Sequence, residues 1–564
     1  MAEEGRVTWR LPLLVGLALA VITAIPYLYA YAVQPPGHVF VGFFYLWDDA
    51  TTYLAKMREG WEGSWAWQNR YTTETSPTAY LFMFWLALGH IAAVTNLPLI
   101  VVFHLARIAG AFALIAAAWL CICHFIQDRS ARRFALFFLA FGLGLGLVIW
   151  AVGRPSVFDG PTEGLDLRMP ELSAFYSILA LPHFAWSAVF AGLGIALTLK
   201  AIERGSLWFG LLAGLAWLGQ ASIHPQMPVL MGGAVAVALL LRPARPRGWV
   251  AAALAFAVLA GLAWLGQASI HPQMPVLMGG ATAVALLLRP ARPRGWVAAA
   301  LAFAIPAPYI LYSYLAFVGN PEVERWTFHS KNAVAPETVS LLLALGPQLL
   351  LAAAGVPGAL RRRTREDLFL LAWLVLLAAI LWLPNPAGDL RRRFFDAIYL
   401  PLVLLGARGL YEAILPRLRS LRARRLIPFS YVTVTAIGSA FLLLAPLSVA
   451  ATPQYEISQA ESGGLTWLGS QPAGRVLCMP GVGLYVPAYS ADTVYVGHYD
   501  ETYNYAAKTQ TALTVLTGQS DIEQFIHDNQ IRYVVWTSDL GSPPPPALGP
   551  PAYDTPDFKI WEVP

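Results

Sequence analysis

The sequence predicts a mainly α, polytopic transmembrane helical bundle of about 13–15 spans, closed by a small C-terminal α/β domain outside the membrane. Three observations carry this. Of the 564 residues, 57% are hydrophobic and only 13% charged, where a soluble chain carries about a quarter charged residues. Apolar runs of spanning length recur from Leu11 to Ala450. From residue 451 onward the character changes: 4 Lys/Arg stand against 12 Asp/Glu, whereas the preceding 450 residues carry 34 against 21. The basic excess of the apolar part belongs to the loops of a membrane protein and is no nucleic-acid footprint. The domains expected are thus 1–450 in the membrane and 451–564 beyond it.

The first span falls at about 11–33, with Arg6 and Arg10 holding its start inside. It is too long, and lacks the small-residue cleavage site, for a removable leader. Residues 34–78 then form the first outer loop, rich in aromatics and acids, with Asp49–Trp61 a short interfacial helix. The positive-inside rule orients the rest. Arg129, Arg132 and Arg133, then Lys200 and Arg204, RPARPRG at 242–248 and 289–295, RRRTR at 361–365 and the arginines of 417–425 all lie inside if region 79–126 crosses three times. That needs one break after Thr95-Asn96-Leu97-Pro98 and another near Arg107–Gly110. A single long helix over 98–125 would reverse the sidedness downstream.

Residues 214–260 and 261–307 repeat in tandem, identical at 44 of 47 positions. A pair this similar is a recent duplication or an error of sequence assembly; divergent solenoid repeats look different. Each unit supplies one hairpin, so sidedness is unaffected. Beyond 451, RVLCMPG, TVYVGHY, RYVVWTS and FKIWEV read as strands and SDIEQFIHDNQ as a helix. SPPPPALGPP reads as a stiff loop. Cys121, Cys123 and Cys478 make no disulfide framework and no zinc pattern.

Chemistry concentrates in FYLWDDATTYLAKMREG. Asp48 and Asp49 sit just past the first span, with Tyr53 one helical turn on. An acid pair there is often merely solvated. The enclosing aromatic loop and the second acidic cluster, which ends in Glu171, add weight to a general base that takes a proton from a hydroxyl. Arg391, Arg392 and Arg393 stand at an outer interface against the charge bias. Guanidinium forks match phosphate oxygens, so a lipid phosphate is the expected partner. His183, in LALPHF, and Arg107, in FHLARIAG, are ionisable groups in apolar helices, which are costly and often functional, though packing contacts are the plainer reading. Glu74, His271 of the second HPQMP turn and Lys331 complete the substrate-site candidates.

The segments WDDATTYLAKMREGWEGSW, YTTE, FHLAR, PELSAF…LPHF and DLRRRFFDAIYLPL resemble those of bacterial members of the GT-C class of polytopic membrane glycosyltransferases, which includes the protein O-mannosyltransferases and aminoarabinose transferases. The resemblance spans essentially the whole chain, although its motifs are short. It implies a hexosyl- or pentosyltransferase of the cell membrane that moves sugar from a polyprenyl-phosphate donor to an extracytoplasmic glycan, lipid or protein. It implies Asp48 and Asp49 as the catalytic acids and Arg391–Arg393 as donor-phosphate contacts; Tyr53 and His183 are added here as further donor-binding candidates. No cofactor is named by the residues, and a divalent metal is left open. The competing functions are a transporter or flippase of lipid-linked saccharide, which should show inverted repeats where this repeat is direct, and an inactive relative that binds envelope glycan.

Overall fold

The computed structural model describes residues 8–76, 78, 80–152, 164–224, 227–242, 338–382 and 391–563. The second copy of the repeat, with His271, and the segment holding Lys331 lie outside the described residues. Among those described, four helices are long and apolar enough to cross a membrane: Arg10–Val33 (α1), Leu99–Phe125 (α4), Pro182–Arg204 and Leu421–Val449. Thr338–Ala344 and Gly346–Arg362 make a fifth candidate, bent by 80°. The expected mainly helical bundle with a small C-terminal sheet is borne out.

The chain divides into two compact units. One holds Met1–Ile25, Ala106–Gly319 and Ser330–Ala445; the other holds Pro26–Leu105, Asn320–His329 and Pro446–Pro564.

The first unit is helical. Pro182–Arg204 turns at Gly205, whose φ of 61° is the left-handed helix ending that glycine adopts freely, and packs against Leu207–Ala221. Gly194 permits this approach: a Cβ there would lie 2.5 Å from the Trp217 ring. The indole of Trp217, fully buried, donates to Thr198 Oγ1 at 3.0 Å. Gly346–Arg362 meets Tyr399–Arg408 in the same way, with Gly355 against the Leu405 carbonyl.

One expectation is corrected here. α4 runs unbroken for 27 residues, so the break near Arg107–Gly110 does not exist. A charge and a glycine in an apolar run suggested an interruption, and each has another use. The buried Arg107 guanidinium donates to the carbonyls of Thr23 (3.0 Å) and Ile178 (3.4 Å), which neutralises its cost in an apolar setting. Gly110 leaves room for Ala185 and Trp186, which would lie 3.2–3.3 Å from a Cβ. The break after Thr95 is real. Asn96 closes α3 (Met83–Thr95) in the left-handed conformation at φ 54°.

The second unit joins distant parts of the chain. Strand β1 (His38–Phe40) pairs antiparallel with β2 (Glu456–Ser458), Val39 opposite Ile457. A five-stranded sheet follows, ordered β4 (Thr493–Val494), β3 (Arg475–Leu477), β5 (Tyr533–Thr537), β7 (Phe558–Glu562), β6 (Tyr553–Asp554). β3 runs parallel to β4 and β5, and β7 is antiparallel to both its neighbours. Helices Tyr505–Leu516 and Ile522–Asn529 bury Leu516 and Ile526 with Val534 and Trp561 from the sheet. The helix and the last two strands expected beyond 451 form, whereas RVLCMPG gives only Arg475–Leu477 and TVYVGHY only Thr493–Val494 as strand.

Helix α2 (Trp47–Trp61), expected from Asp49, packs on α3 in the same unit. Their contact is backbone to backbone. A Cβ on Gly60 would lie 2.1 Å from the Leu86 carbonyl oxygen, and one on Gly89 2.0 Å from that of Met57.

Candidate active site

Leu46, at φ 48°, turns the chain into α2. This puts Asp48 and Asp49 in the first helical turn, where unsatisfied backbone N–H groups and the helix dipole favour carboxylates. Both acids are half-buried. Among the described residues, Asp48 makes no side-chain hydrogen bond or ion pair. Asp49 faces a residue that sequence reading missed. His498, 3% exposed, brings Nε2 to 3.8 Å from Asp49 Oδ1.

Seven residues beyond Asp49, and so on nearly the same face, α2 is closed. Lys56 is buried and donates to Glu501 Oε1 at 2.7 Å and to Thr52 Oγ1 at 3.2 Å. Its ammonium lies 4.6 Å from the ring centroid of Phe82, 5.5 Å from Tyr53 and 5.8 Å from Trp67, an aromatic setting that attracts a cation. Tyr53 itself stacks on Trp85 at 4.4 Å. Three further bonds tie the segment around His498 to residues 69–71, beyond α2. Asn69 donates to the Glu501 carbonyl (2.8 Å), Thr502 Oγ1 to the Tyr71 carbonyl (2.7 Å), and the Val494 N–H to the Arg70 carbonyl (2.9 Å).

Two acids of the loop have shifted titrations. Burial raises the Glu59 carboxyl from its ordinary 4.5 to about 7, against the opposing pull of Arg70, the Gln68 N–H and Lys56. Burial also pushes Glu74 up, but hydrogen bonds from Lys508 and Thr72 and the Lys508 charge win and hold it below the usual carboxylate range. Lys508 Nζ stands 2.6 Å from Glu74 Oε2.

The other candidates lie in the first unit. Arg391–Phe395 forms a short 3₁₀ turn. Arg392 Nε is 3.6 Å from Glu171 Oε1, a carboxylate with no exposed surface. Just after the arginines, Asp396 is the hub of a buried network that the sequence reading also missed. Its Oδ2 accepts from Ser187 Oγ, from Gln220 Nε2 at 3.0 Å, and stands 3.1 Å from His224 Nδ1. His183 lies beside it, with its ring centroid 5.6 Å from that of His224. His224 belongs to the first copy of the repeat. Sequence reading offered it only through its duplicate, His271, because nothing local marks which copy finds a carboxylate.

Among the described residues, no three His, Cys, Asp or Glu side chains converge to hold a metal ion.

No family model matches the sequence, and no curated protein matches it. Solved structures do. The oligosaccharyltransferase of Archaeoglobus fulgidus aligns with 93% of this chain and 70% of its own, at 15% identity and a TM-score of 0.53. The mycobacterial arabinofuranosyltransferase AftD aligns with 95% of this chain and 36% of its own (16% identity, TM-score 0.44), and ArnT from Cupriavidus metallidurans with 96% and 97% (13% identity, TM-score 0.44). The first of these shows that this chain shares the fold of that oligosaccharyltransferase across nearly its whole length.

Proposed function

We propose that this chain is a membrane glycosyltransferase of the cell envelope, moving a hexosyl or pentosyl group from a polyprenyl-phosphate donor to an extracytoplasmic acceptor. The observation that carries the reading is the acid pair on the first turn of α2, half-open and faced by a buried imidazole, in a chain of this fold. Asp49, with Asp48 beside it, takes the proton from the acceptor hydroxyl as its oxygen attacks the anomeric carbon. The bond from that carbon to the donor phosphate oxygen breaks with inversion, and the phosphate leaves with the electron pair. Arg391, Arg392 and Arg393 stabilise the leaving phosphate. His183, Arg107 and Glu171 support that donor side; Glu74 and Tyr53 belong with the acids.

The sidedness of the reading survives the unbroken α4. Helix α3 has 13 residues, about 20 Å at 1.5 Å per residue, short of the roughly 30 Å hydrocarbon core. With α3 remaining beside α2 outside, α4 alone crosses. One crossing and three leave the chain on the same side. The Arg129–Arg133 loop is then inside and residues 451–564 outside.

The test is sugar transfer by the purified chain from a synthetic polyprenyl-phosphate sugar, read as release of polyprenyl phosphate with glycosylated acceptor. Transfer that disappears in Asp49→Asn, with an unchanged melting temperature, supports the reading. A purified, folded chain that releases no phosphate from any polyprenyl-phosphate sugar, or an Asp48→Asn/Asp49→Asn double variant as fast as the parent, overturns it.

A further inference from the structure

We infer that His498 is a positioning residue for Asp49: its Nε2–H holds one carboxylate oxygen so that the other faces the acceptor hydroxyl. This rests on the proposed transfer reaction and assigns the outer segment 494–508 a part in it.

The tautomer follows from the backbone. The Asp500 N–H donates to His498 Nδ1 at 3.3 Å. That nitrogen is therefore the acceptor, and in the neutral ring the proton sits on Nε2. Nε2 is buried and has no hydrogen-bond partner among the described residues. A buried N–H left in that state costs about 1–3 kcal/mol. Asp49 Oδ1, at 3.8 Å, is the carboxylate it faces. Less than an ångström of side-chain movement, or a bridging water, closes the gap. Catalytic hydrogen bonds are often long before substrate is bound.

The imidazole has little freedom to do otherwise. It lies against Tyr499 (ring centroids 4.5 Å) and the edge of Tyr71 (6.2 Å). Its segment is pinned on both sides, by Gly497 N–H to Thr502 Oγ1 at 3.0 Å and by the Lys56–Glu501 pair. The fold thus places a fixed donor at a carboxylate that stays one-third exposed. A hydrogen bond to the ionised form of a carboxylate favours ionisation.

The titratable groups around the pair are Asp48 on the same turn, Tyr71, Tyr499, Asp500, and Glu501 with its partner Lys56. On the helices packed against α2, His90 of α3 is engaged by the Ser64 carbonyl, and Tyr489 lies in Val486–Tyr489.

The experiment is the pH profile of kcat/KM for sugar transfer in the full chain. It compares the parent, His498→Phe, which fills the same space without a donor, and His498→Gln, whose side-chain N–H reaches near Nε2. His498→Phe should lower kcat roughly tenfold to a hundredfold, the worth of one hydrogen bond to a charged group, and move the acidic limb upward by about one pH unit. Donor KM should not change. His498→Gln should restore much of both. A parent-like rate and acidic limb in His498→Phe, or equal impairment of the two variants at parent-like melting temperatures, overturns the inference. Should His498→Phe fail to fold, histidine-selective ¹⁵N NMR replaces it: Asp49→Asn should shift the Nε2 resonance of His498, and an unmoved resonance overturns the inference. Asp49→Asn separates the two levels. If it is inactive while His498→Phe is parent-like, only the role of His498 fails; if it is fully active, the transfer reading fails as well.

Discussion

Among the described residues, two aspartate–histidine pairs have a buried imidazole, one in each unit, and they are built to opposite ends. Asp396 is 1% exposed and spends a single oxygen on Ser187, Gln220 and His224, with the imidazole at 3.1 Å. Asp49 keeps a third of its side chain open, sits on a helix N-terminus, and faces its imidazole at 3.8 Å. Identity of the residues says nothing about which pair does chemistry. Access does. A carboxylate that is itself buried and held through one oxygen by three buried side chains ties helices together, because removing it strands its partners. A carboxylate one-third exposed at a helix N-terminus can meet a substrate.

The comparison breaks most sharply in a paired substitution. Asp49→Asn should lower transfer by about 10²–10⁴-fold, as loss of a general base does, with thermal melting unmoved. Asp396→Ala should do the reverse first: about 3–5 kcal/mol of stability lost as the buried partners are stranded, read as a lower melting temperature in detergent. If Asp396→Ala melts like the parent and is inactive, the closed pair is the reactive one and the assignment is inverted.

A finer cut compares the two ends of α2 itself. Glu59, near its buried C-terminal end, is raised from 4.5 to about 7. The folded state therefore binds its proton more tightly than the unfolded chain does. Stability is highest below about pH 4.5, falls as pH rises toward about 7, and stays lower above. Glu59→Gln retains an acceptor for the Gln68 N–H and removes that loss. Its melting temperature should fall less than the parent's between pH 5 and 8, worth up to roughly 3 kcal/mol at 1.36 kcal/mol per pKa unit. Matching curves for parent and variant would show that Glu59 is solvated and α2 open at both ends. The smallest effect belongs to the glycine contact. Gly89→Ala should cost about 1–3 kcal/mol through overpacking against the Met57 carbonyl. Melting of Gly89→Ala alongside the exposed-site control Gly518→Ala, whose Cβ would meet nothing within 4 Å but carries its own strain at φ 73°, separates crowding from backbone strain.

Much of the architecture was legible in the sequence because its signals are local. Apolar runs, the acid-rich turn at α2, the Asn96–Pro98 break and the alternating strands after 451 each lie within a few residues of one another. The reading failed where a local signal had a distant cause. Arg107 and Gly110 looked like a helix break, and are instead a charge met by the Thr23 and Ile178 carbonyls and a seat for Ala185. The site was half legible. Asp48 and Asp49 announce themselves, whereas His498, in an unremarkable GHYD, does so only once folding brings residues 49 and 498 together. Asp396 was missed for the same reason, three residues past an arginine run that drew attention to itself.

The pairing of β1 with β2, His38 opposite Ser458, has a consequence for biogenesis. One strand of that ribbon leaves the ribosome well before the other, and the Lys56–Glu501 pair spans 445 positions. Contacts this distant in sequence form late and slowly. Until Glu501 emerges, the acidic turn waits beside a lysine without that counter-ion, an unfinished surface of the kind chaperones hold. A nascent chain halted before residue 494 would carry both acids and every described membrane helix, yet lack the imidazole and the carboxylate that complete their surroundings. The order of translation thereby keeps the acids incomplete until those later residues are made.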